Sequence, residues 1–496
     1  MIYETNIPLE EVSRCLLCDH ASCTEACPHR QNPAGLLRSL HFANPVGAAA
    51  KLNGNYACAE CNAPCESACI RKDHPIHIRQ VLTSLHEDSL KWEALPETPV
   101  DLSCDFLGIH LENPFLLSSS VVSSTYEKIS RAFDMGWAGV CFKTICDFIS
   151  DETSPRYSAT PAEHGFSGFK NIEQLSGNSV EEDLDIIRRL KRDYPSKVII
   201  ASIMGRNDEE WERLAHLAQE AGADAIECNF SCPNMEQKGL GTDIGQSVEA
   251  TAQYTRAARR GCTVPLLVKL TPNVADMRPY ARIAIENGAN GIAAINTIKS
   301  LMGMNLDTYA TGPSVQGLSG VGGYSGRAVK PIALRFIWEM ASDPELHGIP
   351  ISGMGGIETW QDATEFLLLG ANHVQVTTAV MQYGARIIDD LVDGLTWYLR
   401  EKALTRLSDL QGLGMENVTE LEDLNRNSKL LPRFNRSKCL GCGRCYLSCR
   451  DGGHEALHMS DGKPVMNPQR CVGCHLCVLV CPVKAISPYG KRVPQK

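Results

Sequence analysis

From about residue 100 to residue 400, the chain alternates short apolar runs, rich in β-branched residues, with amphipathic segments of helical period. This alternation is typical of βα units, which build a parallel sheet. The runs that predict strands are 115–120, 139–145, 197–204, 225–230, 265–271, 291–297, 349–353 and 373–378. Eight such units predict an α/β fold of the (β/α)₈ barrel type, in which chemistry takes place at the carboxyl ends of the strands.

Polar side chains concentrate where these predicted strands end. They are Ser118, Ser119, Ser120, Lys143, Thr144, Asn229, Cys232, Lys269, Asn296, Thr297, Thr377 and Thr378. Gly355 and Gly356 follow the seventh strand, and glycines let backbone N–H groups approach a phosphate, so this turn and the hydroxyls after strand eight predict a phosphate site. A single strand-end Asn or Thr is more often a turn former. A lysine at the inner end of an apolar strand needs a negative partner.

Sixteen of the 22 cysteines occur in four compact runs, two at each end of the chain. The two C-terminal runs repeat the bacterial ferredoxin spacing, in which the fourth cysteine of each run ligates the other [4Fe–4S] cluster. We therefore expect one cluster on Cys439, Cys442, Cys445 and Cys481, and a second on Cys471, Cys474, Cys477 and Cys449. Disulfides and zinc are the alternatives. Eight thiols at this duplicated spacing, without a secretory signal, favour clusters.

The two N-terminal runs have looser spacing and lie among Ala-, Leu- and Glu-rich segments. They consist of Cys15, Cys18, Cys23 and Cys27, then Cys58, Cys61, Cys65 and Cys69. This composition predicts a small helical domain around metal. Zinc stays an alternative here, because four-cysteine zinc sites also use short CxxC pairs. The predicted domains are 1–98 (helical, metal-binding), 99–425 (barrel) and 426–496 (ferredoxin-like).

Composition and absent motifs narrow the function classes. The net charge of −10 makes the chain a poor ligand for a nucleic acid backbone. No apolar run is long enough to span a bilayer and no secretory pattern is present, so we expect a cytoplasmic protein with reduced thiols. No GxGxxG follows a strand, which argues against a Rossmann site for FAD or NAD(P).

Several sequence segments resemble known families. RCLLCDHASCTEACP and CNAPCESAC are similar to the N-terminal iron–sulfur domain of dihydropyrimidine dehydrogenases and of the glutamate synthase small subunit. GFKNIEQL, NFSCPN, KLTPN, AINT and SGMGGI resemble the FMN barrel shared by class 1 dihydroorotate dehydrogenases and dihydropyrimidine dehydrogenases. The resemblance to dihydropyrimidine dehydrogenases runs through barrel and ferredoxin end, and is closest to the catalytic subunit of the bacterial two-subunit enzyme.

For the N-terminal domain the resemblance implies two [4Fe–4S] clusters. One is expected on Cys15, Cys18, Cys23 and Cys69, and the other on Cys27, Cys61 and Cys65. In the animal enzyme the fourth ligand of this second cluster is a glutamine soon after the last cysteine. Here that ligand is either Gln80 or Cys58, and the sequence leaves both open.

For the barrel the resemblance implies an oxidoreductase that interconverts uracil or thymine with the 5,6-dihydro base. The residues it places on the pyrimidine are Asn171, Glu173, Asn229, Asn296 and Thr297. Those it places on FMN are Ser119, Lys143, Thr144, Asn171, Lys269, Gly326, Gly355, Gly356, Thr377 and Thr378. Glu173 favours an uncharged ring, because a carboxylate beside that of orotate would be repulsive.

Cys232 is the expected proton donor to carbon 5, while FMN delivers hydride to carbon 6. A thiol pKa of about 8.5 would nearly match neutral pH. Cys104, Cys141, Cys146, Cys228 and Cys262 are expected to be packing residues. Glycines in segments 235–246 and 312–326 suggest lids over the site.

Because no dinucleotide-binding motif is found, the electron donor is expected to be a separate FAD/NAD(P)-binding flavoprotein subunit or a ferredoxin. The assembly is expected to be a homodimer or a hetero-oligomer. The direction of the reaction stays open. The alternatives are a dihydroorotate dehydrogenase or another FMN enzyme that reduces a heterocycle, and a subunit for electron transfer alone, with the barrel as scaffold. A tRNA dihydrouridine synthase is a further alternative, against which the acidic charge argues.

Overall fold

The computed structural model describes residues 6–54, 56–92, 98–148, 152–162, 165–235 and 237–494. The chain divides into two compact units, Met1–Met415 and Glu416–Lys496. The predicted limit between residues 98 and 99 lies inside the first unit, and the second unit begins upstream of residue 426. The domain limits therefore stay a prediction, and residues 1–5, 55 and 93–97 of the first predicted domain lie outside the described residues.

The N-terminal part of the first unit is helical, as predicted. Its helices are α1 (Leu9–Ser13), α2 (Ser22–Glu25), α3 (Pro33–His41), α4 (Pro45–Asn53), α5 (Pro64–Ser67) and α6 (Ile78–Ser89). Asn32 and Asn44 cap α3 and α4, each ahead of a proline at the first helical position, where its missing N–H is not needed. Leucines of α3, α4 and α6 form a core of their own, against which Cys15, Cys23, Cys58 and Cys69 pack.

The strands of the first unit start with the hairpin β1 (Cys104–Phe106) and β2 (Ile109–Leu111). The others are β3 (Phe115–Leu117), β4 (Gly139–Ile145), β5 (Tyr157–Pro161), β6 (Phe166–Asn171), β7 (Val198–Ile203), β8 (Ala225–Asn229), β9 (Leu266–Lys269), β10 (Gly291–Ala294), β11 (Ile298–Ser300), β12 (Gly322–Ser325), β13 (Ile351–Met354) and β14 (His373–Val376). A closed barrel runs β3-β4-β7-β8-β9-β10-β13-β14, with parallel pairing throughout. Seven of its strands lie within predicted runs, and β13 extends one residue beyond the run 349–353, so the barrel prediction is confirmed.

Helices surround this barrel. They are α7 (Tyr126–Asp134), α8 (Val180–Asp193), α9 (Asp208–Glu220), α10 (Thr242–Gly245), α11 (Val248–Gly261), α12 (Arg278–Glu286), α13 (Lys330–Ala341), α14 (Trp360–Leu368), α15 (Thr378–Tyr383) and α16 (Ile388–Glu401). Capping boxes start α8 at Ser179 and α14 at Thr359. The barrel strands are buried along their whole length, as expected where helices cover a parallel sheet.

A second, antiparallel sheet of order β11-β12-β6-β5 is built from the connections that follow barrel strands β4 and β10. It carries Asn171 at the end of β6, and it limits the lid expectation for segment 312–326 to the residues before β12. Gly322–Ser325 is a strand that pairs on both sides, with β6 and β11, rather than an open loop.

Segment 235–246 is also more anchored than a lid, apart from residue 236, which lies outside the described residues. Leu240, Thr242 and Ile244 are buried. Thr242 is the first residue of α10, and it donates its backbone N–H to the Cys232 carbonyl at 2.9 Å.

A polar contact joins the N-terminal helices to α16 of the barrel. Arg38 binds Asp390 at 2.6 Å and Asp389 at 3.1 Å, and the Ser39 hydroxyl donates to Asp390 at 2.9 Å. The Asp390 side chain is only 1% exposed, and burial raises the pKa of its carboxyl. This carboxylate is stable in the ionised form only because Arg38 and Ser39 face it.

The second unit is small. Its strands are β15 (Ser428–Leu430), β16 (Arg433–Phe434), β17 (Leu457–Ser460), β18 (Lys463–Met466), β19 (Ile486–Ser487) and β20 (Arg492–Pro494), and its helices are α17 (Arg444–Gly452) and α18 (Leu476–Leu479). The pairs β15-β20, β16-β19 and β17-β18 are antiparallel. Each helix follows the first two cysteines of one run and begins after a residue in the left-handed conformation, Gly443 or His475. Among the described residues of the whole chain, no helix is long and apolar enough to cross a membrane.

We predict that Arg38→Ala loosens the helical part from the barrel. It leaves the Asp390 carboxylate buried without its cation, which costs about 3 kcal/mol. The urea midpoint of unfolding should fall accordingly. It can be followed by tryptophan fluorescence, because Trp360 donates to the Ala43 carbonyl across this contact at 3.1 Å.

The matched control is Asp389→Ala, which removes the 58%-exposed partner of the same arginine. It should cost less than about 1 kcal/mol, because an exposed ion pair is screened by water. Equal losses for the two variants would contradict the role of the buried pair.

Candidate active site

The barrel residues that the sequence predicts for the substrate, for FMN and for catalysis all line a single cavity at the carboxyl end of the barrel. The cavity and its mouth enclose about 1130 Å³. The predicted residues that line it are Ser119, Lys143, Thr144, Asn171, Glu173, Asn229, Cys232, Lys269, Asn296, Thr297, Gly326, Gly355, Gly356, Thr377 and Thr378. Their places in one cavity follow from strand-end register; their individual roles stay predictions.

A buried ion pair lies at the base of the cavity. Lys269 at the end of β9 is 3% exposed, and its Nζ lies 3.8 Å from Glu227 Oε1 on β8. Gln375 on β14 donates to Ser352 Oγ at 2.9 Å and to Glu227 Oε2 at 3.5 Å. Glu227 is thus the negative partner that Lys269 requires. Oε1 of Glu227 and Oε1 of Gln375 receive no hydrogen bond from the described residues.

Hydroxyl and amide groups tie the strand ends together above this base. Thr144 Oγ1 lies within hydrogen-bond distance of Ser119 at 3.3 Å and Ser202 at 3.0 Å, and accepts from Asn229 Nδ2 at 2.9 Å. Asn229 Oδ1 accepts from Ser231 Oγ at 2.9 Å, and Ser231 Oγ in turn accepts from Asn296 Nδ2 at 2.9 Å. These bonds fix the orientations of both asparagine amides before any ligand binds.

The opposite wall of the cavity is formed by glycines. Gly326, Gly355 and Gly356 all have positive φ, and a Cβ at Gly356 would lie 2.9 Å from the Gly326 carbonyl oxygen and from Lys330 N. Across from them, Ser325 Oγ and Thr378 Oγ1 are 3.0 Å apart. A cradle that any side chain would fill, flanked by hydroxyls, fits a phosphate group. Together with Lys269 and the unpaired Gln375 oxygen, this wall fits FMN.

Glu173 forms the polar rim on the side of the antiparallel sheet. Its carboxylate binds Lys143 Nζ at 2.5 Å, accepts from the Tyr157 hydroxyl, and lies 3.7 Å from Arg156. The pKa of Tyr157 is raised by burial and by this hydrogen bond, so the phenol stays protonated and donates. Glu173 is therefore the negative partner that Lys143 requires.

Asn234 joins Glu173 to Asn171. Its Nδ2 donates to Asn171 Oδ1 at 2.9 Å and to the Glu173 carbonyl at 2.8 Å, while its Oδ1 accepts from Gly323 N at 3.2 Å. Sequence reasoning named no role for Asn234, Tyr157, Gln375 or Glu227. The NFSCPN motif contains Asn234, but Tyr157 lies on a short strand of the added sheet that the barrel pattern does not predict.

Cys232 lies between this rim and the base. The residue is 7% exposed, and burial raises the pKa of its thiol to about 11, although the backbone N–H of Asn234 and the charge of Lys269 act in the opposite direction. The expectation of an ordinary thiol pKa near 8.5 is therefore wrong for this conformation. At neutral pH the thiol is protonated. Cys104, Cys141, Cys146, Cys228 and Cys262 do not line the cavity, consistent with packing.

The cysteines of the second unit lie close to one another, and their division into two ligand sets stays a prediction. One pocket, of about 460 Å³, is lined by Cys439, Cys442, Cys445 and Cys481. Cys477 interacts electrostatically with Cys471, Cys474 and Cys449, the other predicted set, as well as with Cys445 of the first. Backbone N–H groups of Gly441, Ala456 and Ala485 point at the sulfurs of Cys439, Cys449 and Cys481 at 3.4, 3.3 and 3.2 Å. Such bonds tune cluster potentials.

The N-terminal cysteines also fall into two groups. Cys15 interacts electrostatically with Cys18, Cys23 and Cys69, the set expected for the first cluster. A pocket of about 390 Å³ is lined by Cys27, Cys58, Cys61 and Cys65. Within the described ranges, no three or more His, Cys, Asp and Glu side chains converge closely enough for a single metal ion.

Comparison with known proteins agrees with this architecture. A model of the family described as dihydroorotate dehydrogenase matches residues 101–399, and one described as a 4Fe-4S dicluster domain matches residues 433–487. A crystal structure of DHODH from Eimeria tenella superposes with a TM-score of 0.53 at 20% identity, over 65% of this chain and 90% of that one. At that identity the likeness shows the fold alone.

Two relatives are dihydropyrimidine dehydrogenases by name. The chain is 54% identical over 362 residues to the NAD-dependent dihydropyrimidine dehydrogenase subunit PreA of Escherichia coli (strain K12), covering 73% of this chain and 88% of that protein. It is 36% identical over 353 residues to the chloroplastic dihydropyrimidine dehydrogenase (NADP(+)) of Arabidopsis thaliana, covering 68% and 83%. The catalytic subunit of dihydroorotate dehydrogenase B (NAD(+)) of Pyrococcus abyssi is 38% identical over 315 residues, covering 64% and 99%.

The glycine cradle can be tested directly. Gly356→Ala should purify with little FMN. The added methyl carbon would lie only 2.9 Å from the Gly326 carbonyl oxygen and from Lys330 N, so these atoms would have to move and the cradle would change shape. The control is Gly348→Ala, which has a similar positive φ of 77° but nothing within 4 Å of the added Cβ. Both variants carry the same backbone strain, about 1 kcal/mol. Equal FMN content per chain in the two variants, measured by absorbance after release, would contradict the assignment.

Proposed function

Because this chain belongs to the dihydroorotate dehydrogenase family, with dihydropyrimidine dehydrogenases among its relatives, we propose that it interconverts uracil or thymine with the 5,6-dihydro base. The observation that carries this proposal is the joint position of Glu173, Asn171 and Cys232 in one cavity. A neutral pyrimidine needs an acceptor for its ring N–H and an amide for recognition. It also needs a protonated thiol for the protonation of carbon 5.

Glu173 is the residue that selects the ring. Its carboxylate is held in place by Lys143 and Tyr157. A uracil ring N–H can donate to it, whereas the carboxylate of orotate would meet a like charge at short distance. Asn171, oriented by Asn234, would bind the ring on the same side, and Asn229, Asn296 and Thr297 would bind it from the strand ends.

FMN, when bound, supplies the hydride that adds to carbon 6 of the ring. The glycine cradle and Thr377 and Thr378 would hold its phosphate. Lys269, kept charged by Glu227, would face the ring edge that becomes negative on reduction. Ser119, Thr144 and Lys143 line the same side of the cavity and complete the expected contacts.

Cys232 is the proposed general acid. In the reduction of uracil, its S–H bond breaks and the proton goes to carbon 5; the thiolate then takes a proton from water. The raised pKa keeps the thiol protonated at neutral pH, so the acid is ready in every molecule. The segment that carries Cys232 is held by Thr242, which fixes the height of the thiol in the cavity.

The iron–sulfur part of the proposal concerns electron supply. The second unit is an iron–sulfur domain, and we infer that the N-terminal part holds two further clusters, which together give about 16 irons per chain. Electrons would come from a separate subunit or protein that carries its own nicotinamide or ferredoxin chemistry. A barrel that served only as a scaffold would not need a buried thiol facing an oriented pair of asparagine amides.

The substrate assignment is tested with protein purified without oxygen and reduced with dithionite. Uracil or thymine should restore the absorbance of oxidised flavin, and orotate should not. Glu173→Gln should lower kcat/KM for uracil about tenfold or more, a loss of about 1.4 kcal/mol, and should make orotate a better inhibitor. Glu210→Gln removes an ion-paired carboxylate on α9, outside the cavity, and should change neither. Oxidation by orotate but not by uracil would overturn the proposal.

The acid is tested by Cys232→Ala. The rate of uracil reduction should fall by about 10²- to 10⁴-fold, the usual contribution of a general acid. Uracil should still perturb the flavin spectrum, because binding does not need the thiol. Cys228→Ala removes a buried thiol from the same strand end that does not line the cavity, and should leave the rate unchanged.

The pH dependence adds a second readout. Since the thiol is the acid and its pKa is about 11, thiol ionisation should not lower the wild-type rate between pH 6 and 9. The rate should fall only as the pH approaches the thiol pKa. A rate that rose with pH through the neutral range would contradict an acid role for Cys232.

A further inference from the structure

We propose that the second N-terminal cluster is bound by four cysteines, Cys27, Cys58, Cys61 and Cys65, and that Gln80 is not a ligand. The inference rests on the cluster part of the proposed function and assigns the ligand that the sequence leaves open. It makes the N-terminal domain a second example, within one chain, of the cross-ligation predicted for the ferredoxin-like unit.

The pocket of about 390 Å³ is the first observation. Its cysteines are Cys27, Cys58, Cys61 and Cys65. The thiol groups of Cys58 and Cys61 interact electrostatically, and each of Cys58 and Cys65 also interacts with Cys27. The four sulfurs therefore share one site, of a size similar to the pocket of about 460 Å³ lined by Cys439, Cys442, Cys445 and Cys481.

The backbone around Cys58, Cys61 and Cys65 repeats the local structure of the ferredoxin loops. In the second unit, each CxxC pair leads through a left-handed residue into a helix whose second residue is the third cysteine, Cys445 or Cys477. In the N-terminal domain, Cys58 and Cys61 lead through the left-handed Ala63 into α5, whose second residue is Cys65. Three thiols presented by one tight loop suit three corners of a [4Fe–4S] cluster.

The fourth thiol of each site comes from the other run, in the same way at both ends of the chain. In the second unit this is Cys481, followed by Pro482. In the N-terminal domain it is Cys27, followed by Pro28. The remaining group, Cys15, Cys18 and Cys23 with Cys69, obeys the same rule, because Cys69 is the last cysteine of the second run. All eight N-terminal cysteines then have a place, four to each site.

Gln80 lies on the wrong face of α6. The α6 residues that line the pocket are Ile78, Arg79 and Leu82, while Gln80 is exposed and does not line it. With 3.6 residues per turn, Gln80 is about 200° around the helix from both Ile78 and Leu82. The face that looks at the cluster site is thus apolar, apart from Arg79.

Arg79 places a positive charge beside the cysteine loop. Its Nη1 donates to the Cys61 carbonyl at 2.9 Å, which holds the guanidinium at the loop. A fourth thiolate makes the cluster one unit more negative than a neutral amide ligand would. A fixed cation beside that ligand offsets the added charge.

The test measures iron, acid-labile sulfide and the EPR spectrum of anaerobically purified protein, reduced and as isolated. Gln80→Ala should keep about 16 irons per chain and an unchanged spectrum. Cys58→Ala should lose one cluster, about four irons, or retain a three-iron cluster with its own signal in the oxidised state. Cys104→Ala, which removes a thiol outside the four runs, is the control and should match the wild type.

Cys58→Ser covers the case in which Cys58→Ala does not fold. The serine oxygen can still bind iron, so the iron content should hold while the signal and potential of a single cluster shift. The proposal is overturned if Gln80→Ala changes the iron content or the spectrum, or if both Cys58 variants match the wild type. About eight irons in the wild type would also overturn it, yet reoxidation of the reduced flavin by uracil would then leave the substrate assignment standing.

Discussion

The active site depends on two lysines placed at the ends of otherwise apolar barrel strands. A buried ammonium group is stable only beside a negative charge, and each lysine has its own: Glu227 for Lys269 at the base, and Glu173 for Lys143 at the rim. The two pairs set the polarity of opposite sides of one cavity. The deeper carboxylate, Glu227, pairs with Lys269, and the Glu173 carboxylate at the rim is held in place by Lys143.

Strand-end chemistry explains how much of this site the sequence could predict. Barrel strands are continuous apolar runs, so the polar residues that follow them, such as Asn229 and Thr377, mark the mouth without any coordinates. Glu227 was not predicted, because it lies inside a strand and only the closed barrel brings it close to Lys269. The roles of Tyr157 and Asn234 were not predicted either, because they depend on the antiparallel sheet inserted between barrel strands. The strands of that sheet are short and have no clear hydrophobic period in the sequence. The thiol pKa of Cys232 follows from burial, which depends on the folded chain.

The two cysteine-rich ends of the chain belong to different compact units. The helical domain shares a compact unit with the barrel, and its contact includes a buried ion pair, Arg38 with Asp390. Arg386, just after α15, also donates to the Cys18 carbonyl at 3.1 Å, within the first cysteine run. The first cysteine run is thus tied to the barrel by a direct hydrogen bond as well as by the ion pair. The ferredoxin-like unit forms a separate compact body with a core of its own around Cys445 and Cys477.

The burial of the Cys232 thiol also affects how the protein loses activity on oxidation. Oxidants and alkylating agents attack the thiolate, and a pKa of about 11 leaves roughly one Cys232 in ten thousand in that form at neutral pH. The cluster sulfurs, by contrast, include the exposed Cys442 and Cys474. Damage by air should therefore begin at the iron–sulfur centres and spare Cys232. An inactivated preparation would be a repairable one, in which iron and sulfide alone restore turnover.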